Sequence, residues 1–206
     1  MLKPKSNALR VVEATPGEVT EVRKPVSKFI IHIVELWLGM NCRYVFTNMQ
    51  RWGKMTEKSY RNCFKKFFDW FEYNYAIVKQ HGGKEIIAVF DPSYMKKSGK
   101  QTYGIGTFWS GVRQKALKGL EIGCLAFVDV AAGTAMHALA EQTPSPKSLK
   151  AEEETLVTHY VSLIKKHLSD IKAITGYLAV DGYFMKKEFI APLQKEGLHI
   201  ITKTRE

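Results

Sequence analysis

The hydrophobic positions divide the chain into a helical front and a strand-rich remainder. Val26, Ile30, Ile33, Val34, Trp37 and Leu38 recur at three- and four-residue steps, the period of one helix face. Gly39 is a stop signal. A short helix is expected over residues 43–52, ended by Gly53. Thr56 then offers an N-cap for a third helix over 57–73. On that helix Tyr60, Phe64, Phe67, Phe68 and Phe71 form one apolar stripe, and Lys58, Arg61 and Lys65 a basic one.

After Gly82 and Gly83 the period changes. Residues 85–90 are a short apolar run that stops at Asp91 and Pro92, the pattern of a buried strand. Residues 92–119, rich in Lys, Ser, Gly and Tyr, read as a loop. Strands over 121–130 and 134–140 follow, joined by Ala131, Ala132 and Gly133 as a hairpin connection. A helix is expected over 151–168 and a strand over 177–180 that stops at Asp181. Next come a helix from Phe184, bent or ended near Pro192, and a last strand over 198–202. The order β-β-β-α-β-α-β predicts an antiparallel meander followed by right-handed parallel crossovers. The economical solution is an α/β fold with a mixed five-stranded sheet and helices on its faces. Three regions result: a flexible lead-in over 1–25, punctuated by Pro4, Pro16, Gly17 and Pro25; a helical region over 26–80; and the sheet domain over 81–206.

Composition adds little except through charge and cysteine. The longest apolar run, 29–40, is interrupted by His32 and Glu35 and is too short to cross a bilayer. No secretory leader pattern opens the chain. Cys42, Cys63 and Cys124 are widely spaced, which argues against a zinc site or disulfide framework and fits a reducing compartment. The net charge is +11, with +7 over residues 1–80 and +4 over 81–206. Such an excess suits a polyanion, nucleic acid being the commonest. Residues 43–66 hold seven cations and one acid, Glu57. Helix, glycine turn and basic-faced helix is the shape of a helix-turn-helix reader of double-stranded DNA. Arg51, Lys54, Lys58, Arg61 and Lys65 are its candidate contacts; a solvated helix face is the alternative. Lys96, Lys97 and Lys100, close to Asp91 in sequence, could hold a DNA backbone or line a solvated loop.

Asp91 and Asp181 are the candidate catalytic pair. Each follows a short apolar strand. If the strands are parallel neighbours, the two backbones lie about 5 Å apart at the carboxyl edge, where open α/β sheets bind ligands. Carboxylates so close repel unless a cation lies between them. Mg²⁺, or Mn²⁺, is the natural cation for oxygen ligands and phosphate chemistry. The pair therefore reads as a metal-dependent phosphodiester site lacking a third acid. The competing reading is two strand-end aspartates that cap turns. Asp129 also closes an apolar strand, but on an antiparallel one aimed at the opposite sheet edge, and reads as structural. Phosphate-loop, dinucleotide and G-x-S-x-G patterns are missing. His137, His159, His167 and His199 lack partners at ligand spacing.

The stretch Ala88, Val89, Phe90, Asp91, Pro92, Ser93, Tyr94, Met95, Lys96, Lys97, Ser98, Gly99, Lys100 resembles the first-aspartate motif of bacterial insertion-sequence DDE transposases. So do Phe108-Trp109-Ser110-Gly111 and Lys118-Gly119-Leu120-Glu121. Leu178-Ala179-Val180-Asp181-Gly182-Tyr183-Phe184 is similar to the second. The likeness covers residues 85–206 and extends more loosely over 40–75. It implies a ribonuclease-H-like fold, Mg²⁺ at Asp91 and Asp181, endonuclease and strand-transfer activity at the ends of a transposable element, and a homodimer acting on paired ends in the bacterial cytoplasm. The family's third acid is a Glu on a later helix. Glu188, Glu196 and Glu206 do not occupy that context, so the third ligand is expected to be missing and the chain alone inactive. Two rivals remain: a non-catalytic DNA-binding regulator or remnant, and an unrelated nuclease of the same fold.

Overall fold

The computed structural model describes residues 7–15, 24–99 and 102–203. It divides into two compact units, Met1–Ile77 and Val78–Glu206. The division falls within three residues of the boundary expected at 80/81.

The first unit is helical: α1 (Asn7–Ala14), α2 (Lys24–Gly39), α3 (Phe46–Trp52), α4 (Glu57–Phe64) and the start of α5 (Trp70–His81). Residues 7–14, expected in a flexible lead-in, form α1. The Val12 carbonyl accepts from the Tyr73 hydroxyl at 3.3 Å. Ile33, Leu36, Met40, Met49 and Tyr60 are the buried core, with Phe46 and Phe64 against it. α4 begins where Thr56 Oγ1 accepts from the Ser59 amide at 3.2 Å, as its sequence predicts. The expected single helix over 57–73 is two helices. Asp69 Oδ1 takes the Glu72 amide at 2.9 Å and caps a fresh start at Trp70, so the chain turns between α4 and α5. Phe67, placed on the apolar stripe by helical spacing, falls in that turn and is exposed.

The second unit is α/β, with a mixed sheet of six strands: β1 (Ile86–Lys96), β2 (Gly106–Ser110), β3 (Lys115–Asp129), β4 (Thr134–Gln142), β5 (Tyr177–Val180) and β6 (His199–Thr202). The order is β2-β3-β1-β5-β6, and β4 also pairs with β3. The meander pairs antiparallel, while β1–β5 and β5–β6 are parallel.

The count of five strands is thus corrected to six. The segment 92–119 is not a loop. Its glycines and lysines masked a Thr-Phe-Trp-Ser run that pairs with residues 115–119 across a four-residue turn. That turn is closed by the Arg113 amide on the Ser110 carbonyl at 3.1 Å. Nor does β1 stop at Asp91. It continues to Lys96 along β3, Pro92 lying opposite Gly123. Pairing to β5 ends at Phe90, so Pro92 lies where β1 has a free edge, the position a strand proline tolerates.

Helices α6 (Pro146–Ala151), α7 (Leu156–Lys166), α8 (Leu168–Ile174) and α9 (Lys187–Lys195) complete the unit. The single helix expected over 151–168 is interrupted twice. Ser145 caps α6, with Pro146 in its first turn. Glu153 at φ 57° ends it in a left-handed turn. Thr155 and Thr158 then form a reciprocal capping box for α7. Tyr160 of α7 packs on Phe90 and Phe184 at ring distances of 5.0 and 5.9 Å. Ala88, Phe90, Leu125, Phe127 and Leu178 are buried on the same side of the sheet.

Candidate active site

Strand register brings the two aspartates together. β1 and β5 run parallel with Phe90 beside Val180, so the next residues, Asp91 and Asp181, are neighbours. Adjacent strands lie about 4.8 Å apart. The alternation that buries Phe90 turns Asp91 to the other face of β1; Asp181 follows the end of β5, and both are exposed.

The two carboxylates are held differently. Asp181 follows β5 and caps a 3₁₀ turn (Gly182–Phe184), its Oδ1 accepting from the Tyr183 amide at 3.0 Å. Its carbonyl accepts from Thr202 Oγ1 of β6 at 2.9 Å, which ties the turn to the sheet. Asp91 sits within continuous β1 opposite Cys124. Partial burial and then the charge of Asp181 push its carboxyl above the usual carboxylate range. Burial, then Asp91, likewise raises the Cys124 thiol.

Both aspartates open on a cleft of about 930 Å³ whose walls include Tyr94, Trp109, Glu121, Tyr183 and Phe184. Glu121 is a third acid on that cleft which sequence reasoning passed over. It is buried, and the Tyr160 hydroxyl donates to its Oε1 at 2.6 Å. The same hydroxyl meets Thr143 Oγ1 at 2.8 Å. Burial raises Glu121, the Tyr160 bond opposes that rise, and Asp91 adds to it. A signal existed: Glu121 shares strand parity with Gly123, Leu125 and Phe127, all core-facing, and a charge at such a position calls for a partner. Lys186 was also missed. Its Nζ lies 3.7 Å from the centre of the Tyr183 ring, bringing a cation beside the Asp181 turn.

The remaining predicted site residues are placed as follows. Lys96 ends β1 and Lys97 follows it, both exposed; Lys100 lies outside the described residues. In the helical unit Arg51, Lys54, Lys58, Arg61 and Lys65 are all exposed, on or beside α3 and α4. Arg61 is already engaged: its Nε donates to Glu57 at 3.0 Å and its guanidinium lies 4.8 Å over the Phe46 ring. Asp129 is buried at the opposite end of the sheet. Among the acids considered as a third ligand, Glu196 pairs with Lys165 at 2.9 Å, Glu188 lies in the first turn of α9, and Glu206 is outside the described residues. Among the described residues no three His, Cys, Asp or Glu side chains stand together as a metal-holding group.

No protein-family model matches the sequence, and a search of curated proteins finds no match. No described helix is long and apolar enough to cross a membrane.

Proposed function

We propose that this chain is a DDE-type DNA transposase chain, carrying a helical DNA-binding unit and two acids of a Mg²⁺- or Mn²⁺-dependent phosphodiester site. One observation carries the reading: parallel register sets Asp91 beside Asp181, just past the last pair of β1 and β5. The sheet order, with an antiparallel β1-β3-β4 meander and parallel β5 and β6 on the far side of β1, supports a ribonuclease-H-like topology.

The donor set suits a hard divalent cation in part. Asp91 is held above the usual carboxylate range by burial and by Asp181, a penalty a cation between them relieves. Two carboxylates leave room for a third ligand, as the family motif requires. A bound ion would supply charge for the phosphate oxygens and a more acidic water or 3′-hydroxyl. The chain's own groups do the positioning. The Tyr183 amide and Thr202 hold the Asp181 turn, β3 holds Asp91 in register, and Lys186 offers a cation to an approaching phosphate.

Three experiments test the reading. In titration calorimetry, Mn²⁺ binding by the whole chain should weaken at least tenfold in D91N and in D181N; equal affinity in parent and variants sinks the metal site. Nicking of supercoiled DNA with Mn²⁺, lost in D91N, would show a working centre, whereas duplex binding without nicking would leave a DNA-binding regulator. For the helical unit, K58A with K65A should weaken duplex binding and lower the salt slope by about 2. Binding and slope left unchanged would remove the helix-turn-helix claim. Lys58 and Lys65 are the sharper probes, because Arg61 already serves Glu57 and Phe46.

A further inference from the structure

Between Asp91 and Glu121 the chain holds six Lys and Arg and no Asp or Glu. Residues 81–206 are +4 in total, so the rest of that region is −2. The local excess is one-signed: Lys96 ends β1 and Lys97 follows it, Arg113 lies in the β2–β3 turn, Lys115 and Lys118 lie on β3, and Lys100 is outside the described residues.

Register shows which way this feature faces. Trp109 pairs with Ala116 and Thr107 with Lys118. Directly paired residues share a face, and alternation carries that face along β3 to Cys124, opposite Asp91. Trp109, Lys118 and Asp91 therefore lie on one side of the sheet. The indole is 58% exposed. Its cross-strand partner is only a methyl group, which leaves the ring open, and it lines the same cleft as the aspartates. Lys118 is exposed on that face and Arg113 is exposed in the β2–β3 turn, while Lys115 pairs with Ser110 and lies on the other face. An open aromatic ring with cations on its own face is how proteins hold single-stranded nucleic acid: bases stack on the ring and phosphates meet the cations.

We propose that the β2–β3 hairpin is a strand-positioning arm, in which an unpaired DNA base stacks on Trp109 while Lys118 and Arg113 hold the flanking phosphates, presenting the strand end to the Asp91–Asp181 cleft. The proposal rests on the DNA-processing reading above and names the form of substrate that site takes: a duplex with a frayed or tailed end.

The test is fluorescence anisotropy on the whole chain without metal, comparing a blunt duplex with the same duplex bearing a short 3′ single-stranded tail. The tail should tighten binding about tenfold. W109A should abolish that gain, while W109F keeps most of it. K118A should lower the salt slope for the tailed duplex by about 1. Far-UV circular dichroism checks that each variant is folded, and K118A tests the arm independently of the ring. No gain from the tail, or a gain that survives W109A and K118A, overturns the arm; blunt-duplex binding would then leave the transposase reading standing. No binding to either DNA overturns both.

Discussion

Asp91 and Asp181 at one end of the sheet invite comparison with Asp129 at the other. All three close short apolar runs, and in sequence they look alike. Asp129 is buried and fully used: Oδ2 accepts from the Gly83 amide at 2.8 Å and Oδ1 from the Ala132 amide at 2.9 Å. Gly83 comes so close that a Cβ there would run into the Asp129 carboxylate. Asp91 and Asp181 are exposed neighbours, and partial burial and then the charge of Asp181 raise the protonation threshold of Asp91. One end thus spends its carboxylate on closing a turn. At the other, Asp181 caps the turn before Tyr183, while Asp91 stands beside it in β1 with no such cap and carries the raised protonation threshold. Strand direction is what separates them. β3 runs against β1, so its last residue lands at the opposite edge from the ends of β1 and β5.

The largest expected effect comes from breaking the satisfied end. Asp129→Ala should cost about 3 kcal/mol in urea unfolding of the whole chain, since it strands two amides. Asp129→Asn should recover little of that, because its amide nitrogen would face a backbone N–H. A loss under about 1 kcal/mol would show that the buried carboxylate is not a tether. Tyr160→Phe is next. Removing the hydroxyl shared by Glu121 and Thr143 should cost about 2 kcal/mol and push Glu121 further up, because its opposing hydrogen bond is lost. NMR titration of Glu121 would read the second effect, and an unmoved Glu121 would dismiss the coupling.

Asp91→Asn should be the smallest change and of opposite sign. The folded-state pKa of Asp91 lies above its unfolded value. The stability its proton supplies is present below the ordinary aspartate value and is lost as pH rises through the folded one. At neutral pH the charged form therefore penalises the fold. The variant should be more stable there by roughly a few tenths of a kcal/mol, given solvent screening. That gain should fade as pH falls through the raised folded-state value and be lost once pH is below about 3.9. A destabilised D91N at pH 7 would place Asp91 among the structural aspartates, with Asp129.

Local pattern was enough for much of this molecule. The 3.6-residue spacing of Ile30, Ile33 and Trp37 marked α2, and Thr56 marked the start of α4. The apolar runs before Asp91 and Asp181 marked two strands whose parallel pairing follows from the intervening helices. These features rest on interactions between residues close in the chain, or on apolar faces wide enough to read directly. Chain breaks were less legible. Asp69 and Glu153 end or restart helices through single backbone contacts that helical spacing does not reveal.

The tertiary structure alone decided the β2–β3 hairpin, the reach of β1 past Asp91, and the place of Glu121. Thr107 to Ser110 is too short and too polar to call a strand until Lys115 to Gly119 lies beside it. Pro92 is tolerated only because β5 stops at Val180. Glu121 became part of the cleft when α7 brought the Tyr160 hydroxyl to its carboxylate, thirty-nine residues away in the chain. Sequence by itself supplied the residue types, the strand ends and the one-signed charge between Asp91 and Glu121. Register, which depends on partners distant in the chain, decided which of those residues share a face.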